Sequence, residues 1–347
     1  MDINWIYDAC QTLDVDARRA AETRQNTLTK PSGSLGELET IAQKFAAWQG
    51  TDRPKCESIL IRVFAADHGV CQQGVSAFPQ AVTAQMIANF VAGGAAISVL
   101  AKQLNADFAA VNLGTIEPCA DAEQLINIQI TDGTADFSQQ AAMTSDQLAL
   151  ALNTGRQQVI DNKADLFIAG DMGIGNTTTA SALYSALLEQ KPTACVGPGT
   201  GVDATVIDHK AKIIEQALTL HRVASDQPLD ILRCLGGLEI AAMTGAYICA
   251  AQYGCPILVD GFISTAAALL AVKINPLCRN WMLFAHKSAE PAHHLALKQL
   301  DAQPLLDLRM RLGEGSGAAL VVSLLQSSLA LHNQMATFEN SGVSDHA

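Results

Sequence analysis

Short apolar runs that each stop at a loop rich in glycine or acid, and then give way to a helical pattern, recur along this chain of 347 residues. Residues 58–66, 108–113, 165–170, 257–259 and 281–284 read as strands of this kind. Their near-continuous Ile, Val, Leu and Phe content is what a strand covered on both faces requires, and strand–helix alternation predicts parallel pairing. The expected fold class is therefore α/β: an open, mainly parallel, Rossmann-like sheet with helices on both faces. Helices expected at 17–26 and 35–48, and a last one from just after Gly317 to about Asn333, have no strands among them and predict a smaller helical lobe. Residues 1–50 form its N-terminal part in this reading, 51–300 the α/β part, and 301–347 a C-terminal helix packing back onto the lobe. Thr144 with Gln147 predicts a capping box that opens a helix to about Ile160.

One stretch tests the assumption of a soluble fold. From Ile240 to Val259 there is no charged residue, and Asp260 alone interrupts the apolar run to Val272. That matches the roughly 20 residues of a spanning helix. Tyr253-Gly254-Cys255-Pro256 breaks the run, however, since Gly and Pro at this spacing signal a loop. The stretch therefore predicts a buried helix to about Gln252, the strand Ile257–Val259, a loop and a second helix, with no membrane.

Twenty-two basic against thirty-four acidic side chains give a net charge of −12, so nucleic acid and anionic lipid are not expected partners. An anionic ligand must instead be held locally against the overall field. Nine cysteines without a C-x-x-C pair argue against a disulfide framework and the common zinc spacings. The start Met1-Asp2-Ile3-Asn4-Trp5 lacks the pattern of a signal peptide, which points to the cytoplasm.

Several loops can carry chemistry, and nearly all fall at the carboxyl ends of the expected strands, where open α/β sheets bind ligands. Loop 170–179 runs from a strand through Gly173-Ile174-Gly175 to Asn176-Thr177-Thr178-Thr179 at a helix start. It suits a monophosphate, held by free backbone N–H groups and threonine hydroxyls, or it is a strand-to-helix turn with threonine caps. A second glycine-rich loop, 197–201, adds amides at the same edge, and Asp203 is expected to cap the helix whose Lys210 supplies a cation. Glu314, set in Gly313-Glu314-Gly315-Ser316-Gly317, is a carboxylate on exposed backbone. Covered by a ligand, it becomes a better proton acceptor near neutral pH. Loop 74–80 with Phe78, Met86, Ser76 and Gln85 can clamp a planar heterocycle. Asp67-His68 follows a strand, but no second His or acid stands at a metal-ligand spacing, so no metal is expected.

In order along the chain, the segments KPSGSLGE (30–37), ADHGV (66–70), GVSAFP (74–79), MGIGNTT (172–178), GPGTG (197–201), LGGLE (235–239), DGF (260–262), SAEP (288–291) and LGEGSG (312–317) resemble the nicotinate-nucleotide:dimethylbenzimidazole phosphoribosyltransferase family. The resemblance spans nearly the whole chain. It implies transfer of phosphoribose from nicotinate mononucleotide to 5,6-dimethylbenzimidazole, by a homodimer without a cofactor. It also implies Glu314 as proton acceptor and Ser76 and Gln85 in the segment receiving the benzimidazole. Gly173, Gly175, Asn176, Thr177, Thr178, Gly201 and Lys210 fall in the phosphoribose and phosphate segments, and Gly261, Phe262 and Ser288 at the nicotinate end. The family commonly has Glu before Met-Gly-Ile-Gly; here Asp171 stands there, reaching one methylene less toward the ribose.

The chemistry of such a transfer agrees with the residues. A pyridinium leaving group departs with its ring charge neutralised, so no metal is called for, and one carboxylate suffices to take the proton that the attacking base must lose. Two other readings remain beside it: a non-catalytic, regulatory nucleotide-binding protein on the same scaffold, and a metal-dependent phosphohydrolase centred on Asp67-His68.

Overall fold

The computed structural model describes residues 2–197 and 204–344. Seven parallel strands form one sheet: β1 (Ile59–Ala66), β2 (Asp107–Gly114), β3 (Leu125–Asn127), β4 (Leu166–Met172), β5 (Ile257–Val259), β6 (Met282–His286) and β7 (Pro304–Leu306). Their order is β3-β2-β1-β4-β5-β6-β7, the Rossmann order extended by a seventh strand. All eight residues of β1 are buried. Successive side chains point to opposite faces, so both faces of the sheet centre are covered, which explains the unbroken apolar runs.

The long uncharged stretch splits as its Gly-x-Pro break requires. Helix Leu238–Tyr253 ends at Gly254 in the left-handed region, β5 follows, and helix Phe262–Ile274 leaves from the other end of β5. Among the described residues one stretch, Ala81–Gln103, is long and apolar enough to cross a membrane. It consists of two helices, Ala81–Val91 and Ala96–Gln103, separated around Gly93-Gly94, and both pack on the sheet. The capping box forms at Thr144 and Gln147.

Helices Val15–Thr27 and Glu37–Gln49 pair with each other, and the second packs on helix Ser316–Gln334. Arg24 Nε donates to the His332 carbonyl at 2.8 Å, and Ser328 Oγ to the Leu38 carbonyl at 2.6 Å. Within the 30–37 motif, Lys30 forms a 2.7 Å ion pair with Glu39, buried beneath the turn that Leu35 N–H closes onto the same carboxylate. β3 and β7 were not expected; each has three residues, too few for a period, and β7 begins with a proline, tolerated at an edge.

Candidate active site

Strand order reverses between β1 and β4, and the carboxyl ends of β4, β5 and β6 lie side by side. β4 delivers Asp171 and Met172, β5 leads into Asp260-Gly261, and β6 ends at His286. Loop 311–314 closes over them, and Asp171, Met172, Gly261, His286 and the loop line a cavity of about 390 Å³, with Asp260 standing outside the lining.

Glu314 is in that lining and only 6% exposed. Its φ is 66°, between Gly313 at 86° and Gly315 at 84°, a left-handed run that side chains rarely join. Two features hold it there. Gly170 in β4 leaves the strand bare: a Cβ on it would stand 2.1 Å from the Glu314 carbonyl oxygen. Asp260 supplies the cap that Gly315 lacks, accepting from Gly315 N at 3.2 Å and Ala318 N at 2.7 Å. His286 Nε2 lies 3.6 Å from the same carboxylate, and Gly317 makes room for the ring, since a Cβ there would meet His286 Cδ2 at 2.1 Å.

Burial pushes the Glu314 carboxyl up to about 7, against a hydrogen bond from the Ile97 backbone and with help from the charge of Asp260. Its Oε2 is buried without a hydrogen-bond partner among the described residues. Asp171 is raised well above the usual carboxylate range, first by burial and then by Asp260 and Glu239, while a 2.9 Å hydrogen bond from Asn176 Nδ2 opposes the rise. Asp260 is also raised by burial, partly offset by His286 and by its backbone donors. The buried acids in the lining are Asp171, Glu290 and Glu314, and such a set favours a cation or a proton inside the cavity.

Of the residues expected from sequence, Glu314, Asp171, Gly173, Asn176, Thr177, Gly261, Phe262, Ser288, Phe78 and Met86 meet in the lining. Gly175 and Thr178 lie behind it. Gly175 adopts φ 96°, where a Cβ would strike Cys71 Sγ at 2.6 Å, and Thr178 Oγ1 is buried without a partner among the described residues. Lys210 is 3% exposed and outside the lining, its charge disfavoured by burial and favoured by Glu290. Ser76 stands back from the cavity and accepts from the Phe78 N–H at 3.2 Å. Gln85 faces away: Val82 and Met86, one turn apart, look into the cavity, while Gln85 lines a separate cleft with Glu117 and Leu125. Gly201 and the cap at Asp203 lie outside the described residues.

Asp260, His286, Glu290 and Arg311 complete the site without having been singled out as site residues. Asp260 had a signal, the lone charge after a buried strand; His286 likewise ends one. Ser288 is held by His293, whose Nδ1 accepts the Ser288 N–H at 2.9 Å while Nε2 meets Thr265 Oγ1 at 3.0 Å. Burial lowers that imidazole to about 3. His68 is hydrogen-bonded to Thr179 and stands 3.0 Å from Glu239, and no group of three metal-ligating side chains occurs among the described residues.

A phosphoribosyltransferase family model matches residues 10–343. The nicotinate-nucleotide–dimethylbenzimidazole phosphoribosyltransferases of Pseudomonas putida (strain W619) and Xanthomonas euvesicatoria pv. vesicatoria (strain 85-10) are each 53% identical to this chain, over 99% of it and over 99% and 100% of their own lengths. The crystal structure of CobT from Thermus thermophilus matches with a TM-score of 0.91 at 40% identity, covering 95% of this chain and 100% of that one. A site built at the switch point of this sheet, in a chain alike from end to end, identifies it as a member of the nicotinate-nucleotide–dimethylbenzimidazole phosphoribosyltransferase family.

Proposed function

We infer that the protein transfers phosphoribose from nicotinate mononucleotide to 5,6-dimethylbenzimidazole, giving α-ribazole 5′-phosphate and nicotinate, in the nucleotide-loop branch of cobalamin biosynthesis. The observation that carries this reading is Glu314: a buried carboxyl, poised at about 7, with one oxygen unpartnered among the described residues and aligned with an acid-lined cavity. One benzimidazole nitrogen attacks the anomeric carbon, and the bond to the pyridinium nitrogen breaks. Its electron pair neutralises the departing ring. The attacking base, now cationic, loses the proton on its other nitrogen to Glu314, which releases it to solvent. A positioned base of this kind contributes roughly 10²–10⁴-fold, and holding both rings in line across the sugar supplies much of the rest. Attack opposite the leaving group inverts the β nucleotide to the α product.

In this assignment Phe78 and Met86 flank the benzimidazole. Gly173, Asn176 and Thr177 receive phosphoribose at the start of helix Asn176–Leu187, and Asp171, held by Asn176, contacts the ribose. Gly261, Phe262 and Ser288 contact nicotinate, and the carboxyls in the lining, Asp171, Glu290 and Glu314, favour its cationic ring. Homodimerisation and a cytoplasmic location belong to the same proposal; the nine free cysteines favour a reducing compartment. Incubating the purified protein with both substrates, and reading products by mass, tests the reaction. Release of nicotinate with α-ribazole phosphate is expected, and absence of both overturns it. Light scattering tests the dimer.

A further inference from the structure

The switch point of the sheet also carries a buried pair that the transfer chemistry leaves unused. His68 follows β1 and is 1% exposed, yet it is absent from the cavity lining and sits beneath loop 172–176. Its Nε2 stands 3.0 Å from Glu239 Oε1, and its Nδ1 3.0 Å from Thr179 Oγ1. Glu239 is fully buried in the first turn of helix Leu238–Tyr253, where free N–H groups favour a carboxylate. Thr179 belongs to the first turn of helix Asn176–Leu187. The imidazole therefore hydrogen-bonds the start of one helix through Thr179 and stands within ion-pair distance of Glu239 at the start of the other, without hydrogen-bond geometry to it.

Three glycines leave room for that ring. A Cβ on Gly173 would come within 2.9 Å of Nε2, one on Gly237 within 2.5 Å of Cε1, and one on Gly175 within 3.2 Å of the His68 Cβ. Gly173 and Gly175 are the two glycines of the loop that faces the cavity. Ile174 between them is tied at both backbone atoms, its N–H donating to Thr83 Oγ1 at 3.2 Å and its carbonyl accepting from Cys71 Sγ at 3.0 Å. Gly173 lies against the edge of the imidazole and the Ala66 carbonyl oxygen, and Gly175 against Cys71 Sγ and the His68 Cβ. Glycine backbone has little stiffness of its own, so the surface beneath it decides where it lies.

We propose that His68, held between Glu239 and Thr179, is a positioning residue that sets the height of the Gly173–Asn176 loop against the phosphoribose of the nucleotide. The proposal rests on the phosphoribosyl-transfer reading for the identity of that ligand. Without the ring, an imidazole-sized void opens beneath Gly173 and beside Gly237, and the Gly173 end of the loop sinks away from the nucleotide while Glu314 and the benzimidazole wall stay in place.

Steady-state kinetics of full-length variants, with each substrate varied in turn, test this. His68→Ala is expected to raise the KM for nicotinate mononucleotide about tenfold or more, with the KM for dimethylbenzimidazole and the saturating kcat changed by less than about threefold. His68→Gln, whose amide fills most of the space and reaches toward Glu239, is expected to recover most of that loss. An unchanged nucleotide KM in His68→Ala, an equal rise in both KM values, or a fall confined to kcat overturns the proposal. Should His68→Ala fail to fold, Thr179→Val, which exchanges the hydroxyl for a methyl and so removes the hydrogen bond to His68, has to raise the same KM by about threefold, and an unchanged value is a refutation. Wild-type protein that makes neither product defeats the transferase reading instead, which separates the two failures.

Discussion

Asp260 Oδ1 accepts the backbone N–H of Ala318 at 2.7 Å, so the end of β5 caps a helix that starts far along the chain, at Ser316. Its other oxygen takes the N–H of Gly315, immediately after Glu314. Glu314, the proposed general base, is thereby fixed to the sheet through its main chain, leaving its side chain free to face the cavity. A left-handed residue between two glycines would otherwise be among the most mobile points of the chain.

Replacing that cap separates its two effects. Asp260→Ala removes an acceptor worth about 1–2 kcal/mol to the helix start and leaves His286 without its carboxylate. A lower denaturation midpoint is expected, together with a fall in kcat of about tenfold or more as Glu314 loses its register. Asp260→Asn keeps one acceptor oxygen and should lie between. A destabilised Asp260→Ala enzyme with wild-type kcat would show that the cap does not position the base.

Removing the base itself gives a different pattern. Glu314→Gln keeps the shape and the loop but accepts no proton, so kcat should fall roughly 10²–10⁴-fold while nicotinate mononucleotide still binds. The active form is the ionised carboxylate, so wild-type kcat/KM should climb with pH and level off above an inflection at about 7. In Glu314→Gln that inflection should vanish. A wild-type profile flat from about pH 5 to 8 contradicts the assignment.

How much of this was readable in advance depended on whether the physics was local. β1 announced itself because a strand buried on both faces must be apolar throughout, and the place of Glu314 in the cavity lining because glycines on either side of an acid leave it on bare backbone. β3 and β7 have three residues each, and no period can appear in three. Gln85 and Met86 are adjacent in sequence yet face different clefts, a distinction set by how helix Ala81–Val91 rolls against the sheet. Asp260 was visible only as one charge in an apolar run. Its partners lie in a segment far along the chain, and no local pattern encodes a cap supplied from another element.

Gly170 is a test of the packing argument away from the chemistry. It sits inside β4, where glycine weakens a strand, and its use is to let the Glu314 carbonyl approach. Gly170→Ala puts a methyl into that backbone, so the loop must lift or the strand must bend. Overpacking of this kind costs about 1–3 kcal/mol, and activity should fall with it. Gly93→Ala meets no neighbouring atom within 4 Å, although its φ of 81° strains an alanine. It therefore controls for strain without intrusion. Equal kcat values in the two variants would remove the proposed contact as the cause.

The raised carboxyl of Glu314 also makes a prediction about stability, with a definite sign. From its ordinary 4.5 up to about 7, the folded protein keeps a proton that the unfolded chain has released. The native state then binds more protons than the unfolded one, so stability declines as pH rises through that window. Below 4.5 both states are protonated and the burial of the group carries no ionisation penalty. A shift of this size corresponds to a penalty on the order of 3 kcal/mol once the pH exceeds about 7. Glu314→Gln, which never ionises, escapes it. The catalytically impaired variant should therefore outlast wild type in denaturant at about pH 8, with the advantage shrinking toward zero near the ordinary carboxyl value of 4.5. Chemical denaturation of both proteins across that range measures the difference, and a gap that stays constant with pH would mean the carboxyl is not held protonated by its surroundings.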